Sequence, residues 1–303
     1  MSLDRLGPQY HRDNSQTARM RLHQSWWRSV RLEVEWGTDR NGTPYGNLLA
    51  EVDAKRGLNF LTESIHQCAL RRMNTGPGVE EFRCTRNLLS SQPMAFNLFG
   101  PLSQDHELAA RLMDPLLPGG ASEANVRIEW APPKSQHLAD NTSFDVAVRY
   151  KTRTGKPALA GIETKLTEPF SRKTYGYKDH HTEAYQRVAR SSKVWRDPTD
   201  DRLSDINWNQ VWRNHLLVES IRQSEPGLLG SQIVVLHPLD KRCASNVAKY
   251  VDFLSDPGQT FRFLTLSDVL NTWRPLLDEP DHQRWLDDFE DRYINLFLSE
   301  SSS

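Results

Sequence analysis

Thr142-Ser143-Phe144-Asp145-Val146-Ala147-Val148-Arg149-Tyr150 is followed, after a polar connection, by Ala158-Leu159-Ala160-Gly161-Ile162-Glu163-Thr164-Lys165-Leu166. In the first run Phe144, Val146, Val148 and Tyr150 alternate, the period of a strand, which predicts that Asp145 points to the opposite face. In the second, Ala160, Ile162 and Leu166 share one face while Glu163 and Lys165 share the other. The connection Lys151-Thr152-Arg153-Thr154-Gly155-Lys156-Pro157 is polar and carries Gly and Pro, so the two runs read as a hairpin. Symmetry about Thr154 sets Asp145 opposite Glu163.

Two carboxylates facing each other across a sheet repel. A divalent cation between them reverses that sign. Mg²⁺ takes few protein oxygens and keeps several waters, which suits Asp145, Glu163 and a backbone carbonyl such as that of Thr164; Mn²⁺ would be a substitute. Lys165 stands beside the same position, able to orient a water or help deprotonate it. This is the equipment for metal-assisted phosphodiester hydrolysis. A Glu-x-Lys triplet alone carries no weight; its placement on a strand, opposite an acid, does. Asp53-Ala54-Lys55 is set aside because residues 47–52 show neither strand alternation nor a partner strand. The bland alternative is an amphipathic hairpin with a charged solvent face.

The surroundings favour the first reading. Leu108, Leu112 and Leu116 predict an amphipathic helix over 103–117. An alternating strand follows at 125–130, then the hairpin, then helices near 182–195 and 208–223. The apolar run at 231–237 reads as a buried strand. Asp145, the gap of 17 residues and Glu163-Thr164-Lys165, in that element order, resemble the PD-(D/E)XK nuclease superfamily over residues 102–238. The motif's Pro is replaced here by Phe144, while the acid is kept. Gly57-Leu58-Asn59-Phe60-Leu61, residues 87–100 and Gln210-Val211-Trp212-Arg213-Asn214-His215-Leu216-Leu217 resemble a bacterial group of restriction endonuclease-like proteins.

The resemblance implies an α/β (α+β) fold: a restriction-endonuclease-like core with a mixed sheet flanked by helices. The expected organisation is a mostly helical N-terminal extension (1–101), the nuclease core (102–238) and a C-terminal helical region (239–303), the outer two packed on the core. The implied activity is an Mg²⁺-dependent DNA endonuclease with a defence role, Asp145 and Glu163 holding the ion and Lys165 assisting. The alternatives are a repair, recombination or RNA-processing nuclease of the same fold, or a non-catalytic nucleic-acid-binding protein. A homodimer would suit cutting both strands of a duplex.

Net charge is −1, which argues against a general polyanion binder, but its distribution is uneven. Residues 1–31 and 167–196 are each locally +4, whereas 278–303 are −6. The second basic stretch begins just after Lys165, and Arg172-Lys173-Thr174-Tyr175-Gly176-Tyr177-Lys178 interleaves cations with rings. Arg172, Lys173, Tyr175 and Lys178 are therefore candidate nucleic-acid contacts. Gln210 and Arg213 share a helical face and are candidates to touch a phosphate. Glu129 and Glu107 could each add a carboxylate, while His180 and His181 read as surface residues.

Three scattered cysteines, Cys68, Cys84 and Cys243, indicate neither a zinc cluster nor a disulfide framework. No stretch of 18 apolar residues and no apolar leader is evident, so a cytoplasmic protein is expected. The spacing of Trp285, Phe289, Arg292, Leu296 and Phe297 predicts a last helix packed back on the core.

Overall fold

The computed structural model describes residues 3–171 and 179–300. A short antiparallel pair, β1 (Trp36–Thr38) and β2 (Pro44–Leu49), lies apart from the main sheet. The main sheet runs β3 (Glu123–Trp130), β4 (Phe144–Lys151), β5 (Pro157–Lys165), β6 (Leu229–Leu236) and β7 (Phe261–Thr265), in that spatial order. The first three strands are antiparallel neighbours, while β6 and β7 add on in parallel. A fifth strand therefore comes from beyond residue 238, in the region read as helical.

Helices cover both faces. The longer ones are α1 (Ser15–Trp26), α2 (Glu63–Asn74), α3 (Ser91–Phe99), α4 (His106–Met113), α5 (Asp179–Ser192), α6 (Asn209–Ser224), α7 (Lys241–Val251), α8 (Leu266–Trp273) and α9 (Pro280–Tyr293). Their starts carry side-chain caps where the sequence offers them. Thr62 accepts from the Ile65 amide, Ser90 from Gln92, and Asp105 from Glu107 and Leu108. Each such cap satisfies an amide that the helix itself leaves open.

The sheet separates two apolar layers. Val146, Val148, Ala160 and Ile162 pack with Phe96, Phe99, Leu112 and Trp285 on one side. Ala147, Leu159, Val234 and Leu236 pack with Tyr185, Val211 and Leu217 on the other. Because residues before 102 and after 238 line the first layer, the three sequence regions share one core. Trp285, Phe289 and Arg292 of α9 are buried, whereas Phe297 is exposed.

Two further expectations need correction. Residues 44–49 do form a strand, paired with 36–38, although no alternation announces it. Asp53-Ala54-Lys55 still fails as a site because it lies on a short helix, Glu51–Lys55. Phe144 does not share the face of Val146 and Val148; it packs in the opposite layer with Ala147 and Leu159. The cause is local. Pairing of β3 with β4 passes from Ile128↔Val146 to Trp130↔Phe144, with Glu129 and Asp145 left out of the ladder between them. Glu129 sits in the left-handed region at φ 53°, which turns β3 at that point.

Candidate active site

The β4–β5 hairpin has the register that symmetry about Thr154 requires, with Val146 opposite Ile162 and Val148 opposite Ala160. Its turn closes through Gly155, at φ 81°, whose amide donates to the Thr152 carbonyl at 2.8 Å. At the other end the ladder stops at Val146↔Ile162 and the strands part. Phe144 swings over Gly161, where a Cβ would lie 2.4 Å from the Phe144 ring. Only glycine allows that approach, and it lets β4 leave the sheet just at Asp145.

Asp145 fills the opening. Its Oδ2 accepts from the Thr164 amide at 2.7 Å and from the Thr164 hydroxyl at 2.9 Å. Among the described residues no donor reaches Oδ1. The Lys165 carbonyl accepts from His237 on the β6 side. Amide and carbonyl of one strand residue point the same way and neighbours alternate, so the Thr164 carbonyl faces the opening with Asp145.

Glu163 points towards α6 and is 1 % exposed. Its Oε1 accepts from Gln210 Nε2 at 2.6 Å, and its Oε2 from Asn214 Nδ2 at 2.7 Å. The Lys165 ammonium lies 2.6 Å from Oε1 and 5.7 Å from the centroid of the Phe170 ring. Three donors fill three of the roughly four acceptor positions of a carboxylate, leaving one.

The electrostatics follow from burial and crowding. Burial and the neighbouring Glu163 push the Asp145 carboxyl up to about 7, against the opposing pull of Lys165 and Thr164. Burial and then Asp145 push Glu129 up to about 8. Burial alone would lower Lys165, but Glu163 and Asp145 outweigh it and the ammonium is held above its usual value. Burial would raise Glu168, yet the Ser91 amide at 2.9 Å, Lys165 and Arg83 bring it below the ordinary range. Glu168 thus ties the start of α3 to the segment after β5. Glu129 Oε1 accepts from Gln92 on α3 at 2.8 Å.

The donor set fits a hard, oxygen-preferring cation: one open Asp145 oxygen, the Glu163 carboxylate and the Thr164 carbonyl. Among the described residues no group of three or more His, Cys, Asp or Glu could hold a metal. Mg²⁺ needs only one or two carboxylates.

The structure brings Asp145, Glu163, Thr164, Lys165 and Gln210 together. Arg213 it does not: that side chain is 5 % exposed and donates to Asn209 at 3.0 Å and to Thr142 at 2.9 Å, inside the protein. Glu107 is exposed in the first turn of α4. Arg172, Lys173, Tyr175 and Lys178 lie outside the described residues, as do the side chains of His180 and His181. Asn214 and Gln92 were not anticipated. Asn214 follows Gln210 by four, the spacing of one helical face, which was the available signal; nothing in sequence points to Gln92.

No curated protein and no solved structure matches the chain. A family model described as the PD-(D/E)XK nuclease superfamily matches residues 11–295. That match spans the N-terminal helices, the whole sheet and α9, in agreement with the shared core. With the mixed sheet, its flanking helices and the Asp145, Glu163 and Lys165 cluster in place, this chain belongs to the PD-(D/E)XK nuclease superfamily.

Proposed function

We propose that this chain is an Mg²⁺-dependent endonuclease that hydrolyses phosphodiester bonds in DNA. One observation carries the reading: where β4 and β5 part, two carboxylates, a backbone carbonyl and an ammonium converge, with Lys165 Nζ 2.6 Å from Glu163 Oε1. Asp145 and Glu163 would hold the ion together with the Thr164 carbonyl. When bound, the metal supplies Lewis acidity and eases ionisation of a water. Gln210 and Asn214 keep the Glu163 carboxylate aimed, and Thr164 does the same for Asp145. Lys165, as an ammonium, orients the attacking water and stabilises the charge that builds on the phosphate oxygens. In-line attack leaves 5′-phosphate and 3′-hydroxyl ends. Arg172, Lys173, Tyr175 and Lys178 follow the site directly in sequence and are proposed to touch the nucleic-acid backbone. The Ser171 amide donates to Gln210 Oε1 at 2.6 Å, which ties Ser171 to the site. The three free cysteines suit a cytoplasmic setting.

The test is nicking of supercoiled plasmid in Mg²⁺ by the wild type, Asp145→Asn and Lys165→Gln. Loss of nicking in both variants, each shown folded by circular dichroism, is expected. Equal cleavage by all three proteins would remove the assignment. Linear, single-stranded and RNA substrates in the same assay sort DNA endonuclease from the other nucleases of this fold.

A further inference from the structure

A groove of about 760 Å³ runs along the edge strand β3, between it and the end of α2. Arg71, Arg72, Arg127 and Lys134 line it, together with the partly exposed ring of Trp130. Among the described residues none of these four cations pairs with a carboxylate. Arg71 donates to Gln104 at 2.8 Å, Arg127 to Asn125 at 3.4 Å and Lys134 to Asn141. Arg72 gives its donors to carbonyls, among them Glu129 at 3.0 Å and Pro77 at 2.8 Å. Elsewhere several exposed cations are matched, as in Arg149 with Glu225, Arg153 with Asp114 and Arg274 with Asp287 and Glu290. In a chain of net charge −1, four unmatched cations along one groove make a concentrated positive field.

The groove neighbours the candidate active site by way of Glu129. Arg72 and Trp130 both adjoin Glu129, and Glu129 falls opposite Asp145 in the β3–β4 register. Trp130 stacks on Phe144, the residue before Asp145, with centroids 6.2 Å apart and planes 15° apart.

We propose that this groove binds one unpaired nucleic-acid strand as it leaves the site of cleavage, with Arg71, Arg127 and Lys134 on phosphates and Trp130 stacking a base. The chemistry is that of single-strand binding in general: a cationic track for the backbone and an aromatic platform that tolerates any base. The proposal rests on the nuclease reading for its direction, but the binding itself does not require cleavage.

The experiment is fluorescence anisotropy of a labelled single-stranded oligonucleotide with the full chain in EDTA, across a salt series. Removing three phosphate contacts in the combined variant Arg71→Gln, Arg127→Gln, Lys134→Gln should flatten the slope of log affinity against log salt by about 2. Trp130→Ala should weaken binding roughly tenfold, the scale of one lost base stack, while Trp130→Phe retains it. Lys156→Gln, in the hairpin turn at the opposite end of β4 and β5 from Asp145, should change neither. A triple variant with wild-type affinity and slope overturns the proposal. So does a blunt duplex whose binding depends on the same three residues as strongly as the single strand's does. The two readings separate cleanly. Plasmid cleavage with unaltered binding in the triple variant removes the groove alone; groove-dependent binding without metal-dependent cleavage removes the nuclease reading alone.

Discussion

Asp145 accepts both polar hydrogens of Thr164, the amide at 2.7 Å and the hydroxyl at 2.9 Å, at the point where the strand ladder has ended. A side chain thus does what a main-chain carbonyl does further along the hairpin. One carboxylate oxygen is fixed and the other left open. Thr164→Val removes only the hydroxyl and keeps the shape. It should cost about 1 kcal/mol of stability, read from urea denaturation. Nicking should fall several-fold rather than vanish, because the amide still holds Asp145. Activity as low as that of Asp145→Asn would mean that Thr164 contributes more than orientation.

The opening depends on Gly161. A methyl there would meet the Phe144 ring at 2.4 Å, so Gly161→Ala must displace Phe144 and, with it, the adjoining Asp145. Overpacking of this kind typically costs about 1–3 kcal/mol. The double variant Gly161→Ala, Phe144→Ala removes the clash at the expense of a cavity. A double-mutant cycle on stability should therefore show coupling, with the pair less damaging than the sum of the singles. Strict additivity would mean that the ring does not close over Gly161.

Asn214 and Gln210 hold the two oxygens of a carboxylate that is 1 % exposed. Asn214→Ala strips Oε2 of its only protein donor among the described residues. An unsatisfied buried acceptor costs about 1–3 kcal/mol, so thermal unfolding should shift down accordingly. Lys165→Ala removes the ammonium instead and should destabilise by roughly 3–5 kcal/mol, as for any buried ion pair broken on one side. Glu163→Gln combined with Lys165→Met should recover part of that loss without recovering nicking. A double variant no more stable than Lys165→Ala would contradict the buried-pair account.

The hairpin was legible because a period of two and a polar, Gly-containing connection are local signals, and register follows from symmetry about Thr154. The face of Phe144 was not. Its swing depends on Gly161 across the strand and on the turn at Glu129, both set by tertiary contact. β1 and β2 escaped notice because residues 36–38 are too few to show a period and the strand 44–49 alternates poorly. The strand 261–265 escaped too, since five residues after a Pro-Gly turn carry little pattern. Arg213 was misleading for a different reason. A long cation on a helix face reads as exposed, whereas here Asn209 and Thr142 give it partners in the interior. The acids, by contrast, stood out because sequence symmetry aligned them.

Three buried histidines set an acid limit on the fold. Burial lowers His215 to about 3, and lowers His23 and His237 to about 4 despite carbonyl partners at Asp291 and Tyr293. Each folded-state value lies below that of an unfolded histidine, ~6.5. Between those values the unfolded chain binds protons that the folded chain refuses. The histidine contribution is therefore complete above pH 6.5 and is lost as pH falls towards 4, while the raised carboxyls of Asp145 and Glu129 contribute with the opposite sign over the same range. The slope approaches ~1.4 kcal/mol per pH unit for each histidine. Urea midpoints of the wild type should drop between pH 6.5 and 5, less steeply than three histidines alone would give because Asp145 and Glu129 oppose them. His215→Phe replaces the imidazole with an apolar ring amid Trp195, Tyr250 and Phe261 and should flatten the drop by one histidine's share, up to ~1.4 kcal/mol per pH unit. The same pH dependence in His215→Phe as in the wild type would show that this ring accepts a proton without unfolding.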